Sequence, residues 1–471
     1  MNNLPVMIQG GMGVGVSNWH LAKTVSKQEE LGVVSGTALG IILARRLQLG
    51  DADGSTRRAM SFFPCPEMSR RVLDKYYVPG GKSANTPFKL TPVPSMQMDP
   101  SCAELMIIGN FVEVFLAKEG HNGLVGINYL EKIQLPTAPS LLGAMLGGVD
   151  FIIMGAGIPL SIPGILDRLS RWKAVELALH VEGNSRRDSY SCRFDPQDYF
   201  GEPLPKLSRP KFLAIISSEI IAKVINRRAT GFVDGFIIEN HTAGGHNAPP
   251  RRDDSSTGHR LLKYGPKDIP DLAKIKELGK PFWVAGGYAS PEKLKEALDA
   301  GANGIQVGTA FAFCNESGIL PGIKQEVLRM YRDGKLRVLT DFQASPTGYP
   351  FKIIKLTHRG GNGKENRERE RICDLCYLRQ PYCKENLKID YRCPGEPVGN
   401  YLLKGGSREE TIGRQCLCNG LLATIGLGQV REDGCEFPIV TAGEDFSFIS
   451  SLDRNSNCSY GAADVLRYLR S

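Results

Sequence analysis

The stretch Glu239-Asn240-His241-Thr242-Ala243-Gly244-Gly245-His246 sets an imidazole directly behind a glycine pair, just past the apolar run Gly235-Phe236-Ile237-Ile238. Adjacent glycines let the backbone approach a bound group with no Cβ between them. A histidine offered there can orient a ligand or exchange a proton with it, because its unperturbed pKa lies near physiological pH. The plainer alternative is an imidazole satisfied within its own loop, having one donor and one acceptor to place. Two more sites share the form: Gly286-Gly287-Tyr288 after the run 282–285, and Gly308-Thr309 after the run 304–307. Backbone amides at such turns can cradle a phosphate. Glycines can also simply turn a strand into a helix, but three such sites behind three successive strands favour the cradle.

These groups need elements to hold them. Eight short apolar runs recur along the first 310 residues, at 5–9, 32–36, 124–128, 150–154, 212–216, 234–238, 282–285 and 304–307. Near-continuous apolar runs of this length predict parallel strands covered on both faces. Between them, residues 18–27, 103–118, 217–228 and 291–300 read as helices, the last three with apolar residues at three- and four-residue spacing. Eight strand–helix units predict an α/β chain folded as a (β/α)8 TIM barrel. A doubly wound open sheet fits less well, since the turn after the first run lacks the third glycine of a dinucleotide fingerprint. Two insertions interrupt the rhythm, at about 38–101 and about 171–210. The second reads as a hairpin, 174–181 against 189–194, turning near Gly183-Asn184-Ser185.

Bulk properties narrow the class. The chain has 471 residues, 42% hydrophobic and 23% charged, which suits a packed globular protein. The formal charge of +8 is scattered among acids, as in the run 364–370, which reads as a solvated, flexible face. No basic stripe with interleaved aromatics suggests nucleic acid. No signal-like start and no run of about 18 apolar residues suggest a membrane, so a cytoplasmic protein is expected. Eight of the twelve cysteines lie beyond residue 370. A boundary near residue 355 therefore separates the barrel, 1–354, from a cysteine-rich C-terminal extension, 355–471.

Five motifs occur in order: Gln9-Gly10-Gly11-Met12-Gly13, Ile127-Asn128, Ala243-Gly244-Gly245-His246, Ala285-Gly286-Gly287 and Gln306-Val307-Gly308-Thr309. Together they resemble the nitronate monooxygenase family, formerly 2-nitropropane dioxygenases, whose flavin-dependent enoyl reductase relatives share the barrel. The resemblance covers roughly residues 4–340. It implies FMN at the barrel mouth, with Met12 and Asn128 against the ring system and Lys211 near the flavin. It further implies that Gly244, Gly245, Gly286, Gly287, Gln306, Gly308 and Thr309 hold the ribityl chain and phosphate. His246 matches the family's histidine beside the flavin, as the catalytic residue. Lys211 has an equal alternative as a snorkelling strand-edge lysine. The expected activity is oxidation of alkyl nitronates with O2; the alternative is an FMN- and NAD(P)H-dependent enoyl reductase acting on acyl thioesters. The sequence departs from the family at Asn240-His241-Thr242, at Tyr288 and in both insertions, all on the substrate side.

The extension poses a separate question. Cys373-Asp374-Leu375-Cys376, Cys383, Cys393-Pro394 and Cys416-Leu417-Cys418 could gather thiolates around zinc or an iron–sulfur cluster. Against this, the spacings are irregular and paired CxxC knuckles are absent. Reduced cysteines that only pack the extension are the simpler reading.

Overall fold

The computed structural model describes residues 4–183, 189–200, 207–251, 264–356, 371–384, 386, 388–432, 434–453 and 458–471. Asn184 and Ser185 of the expected hairpin turn, and the charged run 364–370, lie outside the described residues. All eight expected strands form, as β1 (Met7–Gln9), β2 (Leu31–Ser35), β3 (Val125–Leu130), β4 (Phe151–Gly155), β5 (Lys211–Ile216), β6 (Gly235–Glu239), β7 (Phe282–Ala285) and β8 (Gly304–Val307). Each pairs in parallel with its neighbours, and β8 closes onto β1 to complete a barrel.

The apolar runs hide a two-residue alternation that sorts their side chains. Ile8, Leu31, Val33, Phe151, Ile153, Leu213, Ile237, Trp283 and Ala285 form one buried cluster, the barrel interior. Their neighbours Met7, Val34, Ile152, Met154, Phe212, Ala214, Phe236, Ile238, Phe282 and Val284 belong to a second cluster that packs against the helices. Both faces are dry, as a parallel barrel requires. Trp283 is fully buried in this interior, and its indole donates to the Pro5 carbonyl at 2.8 Å.

The helices start where side chains can serve their first turn. Asn18 caps Trp19–Ser26, Ser218 caps Glu219–Arg228 and Ser290 caps Pro291–Asp299, each side-chain oxygen accepting from the third residue on. Pro100–Lys118 is long and apolar enough to cross a membrane by composition, but most of it is buried, packed against Leu39–Gln48 and Thr137–Leu146. The first insertion is not loop alone: it carries the helices Leu39–Gln48, Ser55–Ser61 and Pro66–Tyr76. The second holds the expected hairpin, Val175–Leu179 antiparallel to Tyr190–Phe194.

The extension returns to the barrel. Leu375, Leu422, Val440, Phe446, Phe448 and Val465 share one core cluster with the barrel's outer face. The C-terminal helix Ala462–Leu469 packs on Trp19–Ser26, and Arg470 pairs with Glu30 at 3.0 Å.

Candidate active site

The carboxyl ends of the strands open into a cavity of about 220 Å³. The same alternation that fills the barrel decides what reaches it. Gly155, Ile215 and Glu239 each stand two residues beyond an interior side chain, Ile153, Leu213 and Ile237, and all three line the cavity. Asn128 and Gln306 arrive by the same parity, since their neighbours Ile127 and Ile305 face outward.

Ten of the eleven residues expected from the motifs meet here: Met12, Asn128, Gly244, Gly245, His246, Gly286, Gly287, Gln306, Gly308 and Thr309. Close approaches tie them together. A Cβ on Gly11 would lie 2.3 Å from that of Asn128, and one on Gly308 would lie 3.4 Å from the Met12 sulfur. Gly286 and Gly287 hold φ of +87° and +74°, the left-handed region that glycine enters without strain, so this turn after β7 depends on them.

Lys211 is the exception. It opens β5 and points inward at the opposite end of the barrel, with its ammonium 5.4 Å from the Phe151 ring. Along the inward row Lys211, Leu213, Ile215, only Ile215 reaches the cavity. Four residues of strand separate the two ends, roughly 13 Å at ~3.3 Å per residue. Lys211, expected near a flavin, does not line this cavity: the pleat carries it to the barrel floor.

The glycine pair at 244–245 has a cause that the local sequence does not show. A Cβ on Gly244 would stand 2.7 Å from the backbone of Ala442 and Gly443. The extension lays residues 441–444 over this loop: Gly245 N donates to Thr441 Oγ1 at 3.0 Å, Gly443 N to Thr309 Oγ1 at 2.9 Å and Glu444 N to the Thr242 carbonyl at 3.1 Å. Leu375, Tyr377, Cys418, Thr441, Ala442 and Asp445 consequently line the same cavity as the barrel glycines.

His246 sits in the cavity wall, partly buried. Its Nε2 is 2.7 Å from Ser345 Oγ and 3.3 Å from Thr347 Oγ1, and its ring packs on Phe351. Burial, and after it the Lys132 charge, holds the imidazole well below its ordinary pKa. The histidine is thus neutral at neutral pH, not poised at its own midpoint as its unperturbed value suggested. Glu239, at the end of β6, has its carboxyl pushed up to about 7 by burial. Asn128 donates through Nδ2 to the Gly11 carbonyl at 3.3 Å, while its Oδ1 is buried with no hydrogen-bond partner. A buried acceptor without a donor costs about 1–3 kcal/mol, so this oxygen marks where a ligand N–H fits.

Sequence reasoning missed Glu239, Lys132, Ser345, Thr347 and the 441–445 segment. Glu239 was detectable by counting two from Ile237; the others come from loops without local pattern.

Among the described residues, no group of three or more histidines, cysteines or carboxylates is placed to hold a metal ion. Of the expected zinc or iron–sulfur ligands, Cys373 and Cys376 lie against each other. Cys373 Sγ donates to Cys376 Sγ at 3.8 Å, which draws the Cys376 thiol down to about 7. Cys416 accepts from Asn419 Nδ2 at 3.6 Å, and Cys418 faces the cavity.

Residues 198–354 match the family model for nitronate monooxygenase. That stretch carries β5 to β8 with the loops of Gly244, Gly245, His246, Gly287 and Thr309, so the resemblance read from those motifs is borne out. A curated Bacillus subtilis protein bearing the nitronate monooxygenase name is 34% identical over 110 residues, 23% of this chain and 29% of the relative. One from Saccharomyces cerevisiae is 24% identical over 172 residues, 33% and 42% of the two chains. The chain thus spans less than half the length of either relative. Among solved structures, FabK from Thermotoga maritima covers 74% of this chain and 71% of its own at 15% identity, with a TM-score of 0.39. Nitroalkane oxidase from Streptomyces ansochromogenes covers 75% and 77% at 15% identity, also with a TM-score of 0.39. Likeness at this level has no bearing on substrate or chemistry.

Proposed function

We propose that the barrel binds FMN in this cavity and acts as a flavin-dependent oxidoreductase that oxidises alkyl nitronates with O2. One observation carries the reading. Ten motif residues from five separate stretches converge on a single cavity, and the family-model match covers the loops that supply most of them.

The residues present fit the cofactor. The unpartnered Asn128 Oδ1 lacks the kind of donor that a flavin ring N–H offers. The turn at Gly286-Gly287 and the Gly308-Thr309 step bring backbone amides to the loops after β7 and β8, where barrels hold phosphate. The Thr309 hydroxyl, which accepts from Gly443 N, has its own proton left to donate to a phosphate oxygen. When bound, FMN supplies the two-electron acceptor that the protein's own side chains lack.

The chain's own groups do the rest. Met12 and Asn128 bound one end of the cavity, and His246 presents a neutral imidazole at its wall. Leu375, Leu417 and Leu421 add apolar surface to the lining of the same cavity.

The test is oxygen consumption by FMN-loaded protein given an alkyl nitronate. Substrate-dependent uptake of O2 is expected. No uptake with nitronate, together with NADPH-dependent reduction of an enoyl thioester, would transfer the cavity to the reductase reading.

A further inference from the structure

His246 does not stand alone, and the groups behind it have a direction. Its Nε2 meets Ser345 Oγ at 2.7 Å; Ser345 Oγ meets Thr347 Oγ1 at 2.7 Å; Thr347 Oγ1 accepts from Lys132 Nζ at 3.3 Å. Lys132 follows β3, whereas Ser345 and Thr347 belong to the loop before the strand Phe351–Ile354. An ammonium has donors only. Thr347 Oγ1, accepting from Lys132, has one proton left to place; the acceptors within its reach are Ser345 Oγ at 2.7 Å and, farther off, His246 Nε2 at 3.3 Å, so the proton is assigned to the nearer, Ser345. Ser345 Oγ then accepts from the Thr347 hydroxyl and, at 3.2 Å, from the Thr347 amide, which leaves its own proton for His246 Nε2. A nitrogen that accepts carries no proton, so in the neutral ring the proton is on Nδ1.

We propose that Lys132, acting through Thr347 and Ser345, fixes His246 as the Nδ1–H tautomer, so that the site offers a hydrogen-bond donor to an anionic substrate oxygen and not a base to a neutral nitroalkane. The inference about substrate rests on the nitronate reading above; the inference about the tautomer does not. Lys132 is a positioning residue, since it touches His246 only through the two hydroxyls.

The surroundings support this assignment. The Lys132 ammonium lies 4.5 Å from the centre of the Tyr349 ring, a cation–π contact that favours its charged form. Burial opposes this and lowers its pKa to about 7, so the constraint is strongest below neutral pH. His246, itself held well below its ordinary value, is still neutral there. Arg414, a further cation against this loop, is engaged by the Gln343 and Ser345 carbonyls and does not compete for the Ser345 hydroxyl.

The experiment is ¹⁵N NMR of the full chain labelled at histidine, near pH 6.5, with the His246 signals assigned by their loss in His246→Asn. A protonated Nδ1 and a bare Nε2 are expected. Lys132→Met and Thr347→Val should each release the constraint and populate Nε2–H, whereas Thr347→Ser should keep the wild-type pattern. Nε2–H in the wild type, or an unchanged tautomer in both Lys132→Met and Thr347→Val, overturns the proposal. With FMN-loaded protein, either variant should lower kcat/KM for a pre-formed nitronate by about 10- to 100-fold, the scale of one hydrogen bond to a charged group. Wild-type turnover of neutral nitroalkane at a rate equal to that of its anion overturns the donor role. A wild type with the expected tautomer but no nitronate turnover upholds the chain of hydroxyls and overturns the substrate reading alone.

Discussion

Gly244→Ala isolates the contact between the extension and the glycine loop. Gly244 does not lie in the left-handed region, so the substitution carries no backbone strain and its whole cost is one methyl group. That methyl would stand 2.7 Å from the Ala442 carbonyl carbon and the Gly443 nitrogen, backbone atoms that cannot rotate away. Overpacking of this kind costs about 1–3 kcal/mol. Moving 441–444 outward also stretches the bonds to Thr441, Thr309 and Thr242, each worth about 0.5–1.5 kcal/mol. If one or two of them are lost, the total is about 1.5–6 kcal/mol. Denaturant unfolding of Gly244→Ala against wild type reads this loss, and flavin retained after gel filtration reads the site. A stability change under about 0.5 kcal/mol, the size of an ordinary surface substitution, with full flavin retention would refute the packing argument.

Gly287→Asp should abolish FMN binding while leaving the barrel folded: an added Cβ meets only Thr242 Oγ1 at 3.4 Å, aspartate enters the left-handed backbone at a strain confined to this turn, and the new carboxylate opposes the phosphate. Normal flavin content in the purified variant would show the phosphate held elsewhere. Glu239→Gln should stabilise the flavin-free protein at pH 8 and not at pH 4. The folded carboxyl titrates about 7, above its ordinary value, so the native state binds the extra proton and loses stability as pH rises through that window. At about 1.4 kcal/mol per pKa unit the ceiling is about 3 kcal/mol, and cavity water reduces it; equal thermal midpoints for both proteins at pH 8 would count against the burial of that carboxyl. Lys211→Met should leave FMN affinity unchanged, because the ammonium lies at the barrel floor; a tenfold weaker titration endpoint would restore it to the site.

The barrel was legible because buried parallel strands write themselves as continuous apolar runs, and all eight appear within a residue or two of where the runs stand. What a continuous run conceals is parity. Lys211 was placed by motif position, while the row Lys211, Leu213, Ile215 sends it to the wrong end; Glu239 was passed over although it continues the row of Ile237. The glycine pair was read as making room for a ligand, but Gly244 also makes room for the chain's own residues 442–443, nearly 200 positions away. No local signal announces such a contact. Lys132, Ser345 and Thr347 were invisible for the same reason, since each is an ordinary polar loop residue until the fold sets it beside His246. The cysteines were read by count and spacing, and spacing could not show that Cys418 turns to the cavity.

The central claim, that this cavity holds FMN, is tested most directly by the absorption spectrum of the purified full-length protein, with the released chromophore identified and quantified against protein. The account predicts flavin bands, FMN near one equivalent per chain on reconstitution, and loss of both in Gly287→Asp. A colourless protein that takes up no added FMN, its circular dichroism showing a folded α/β chain, would contradict it.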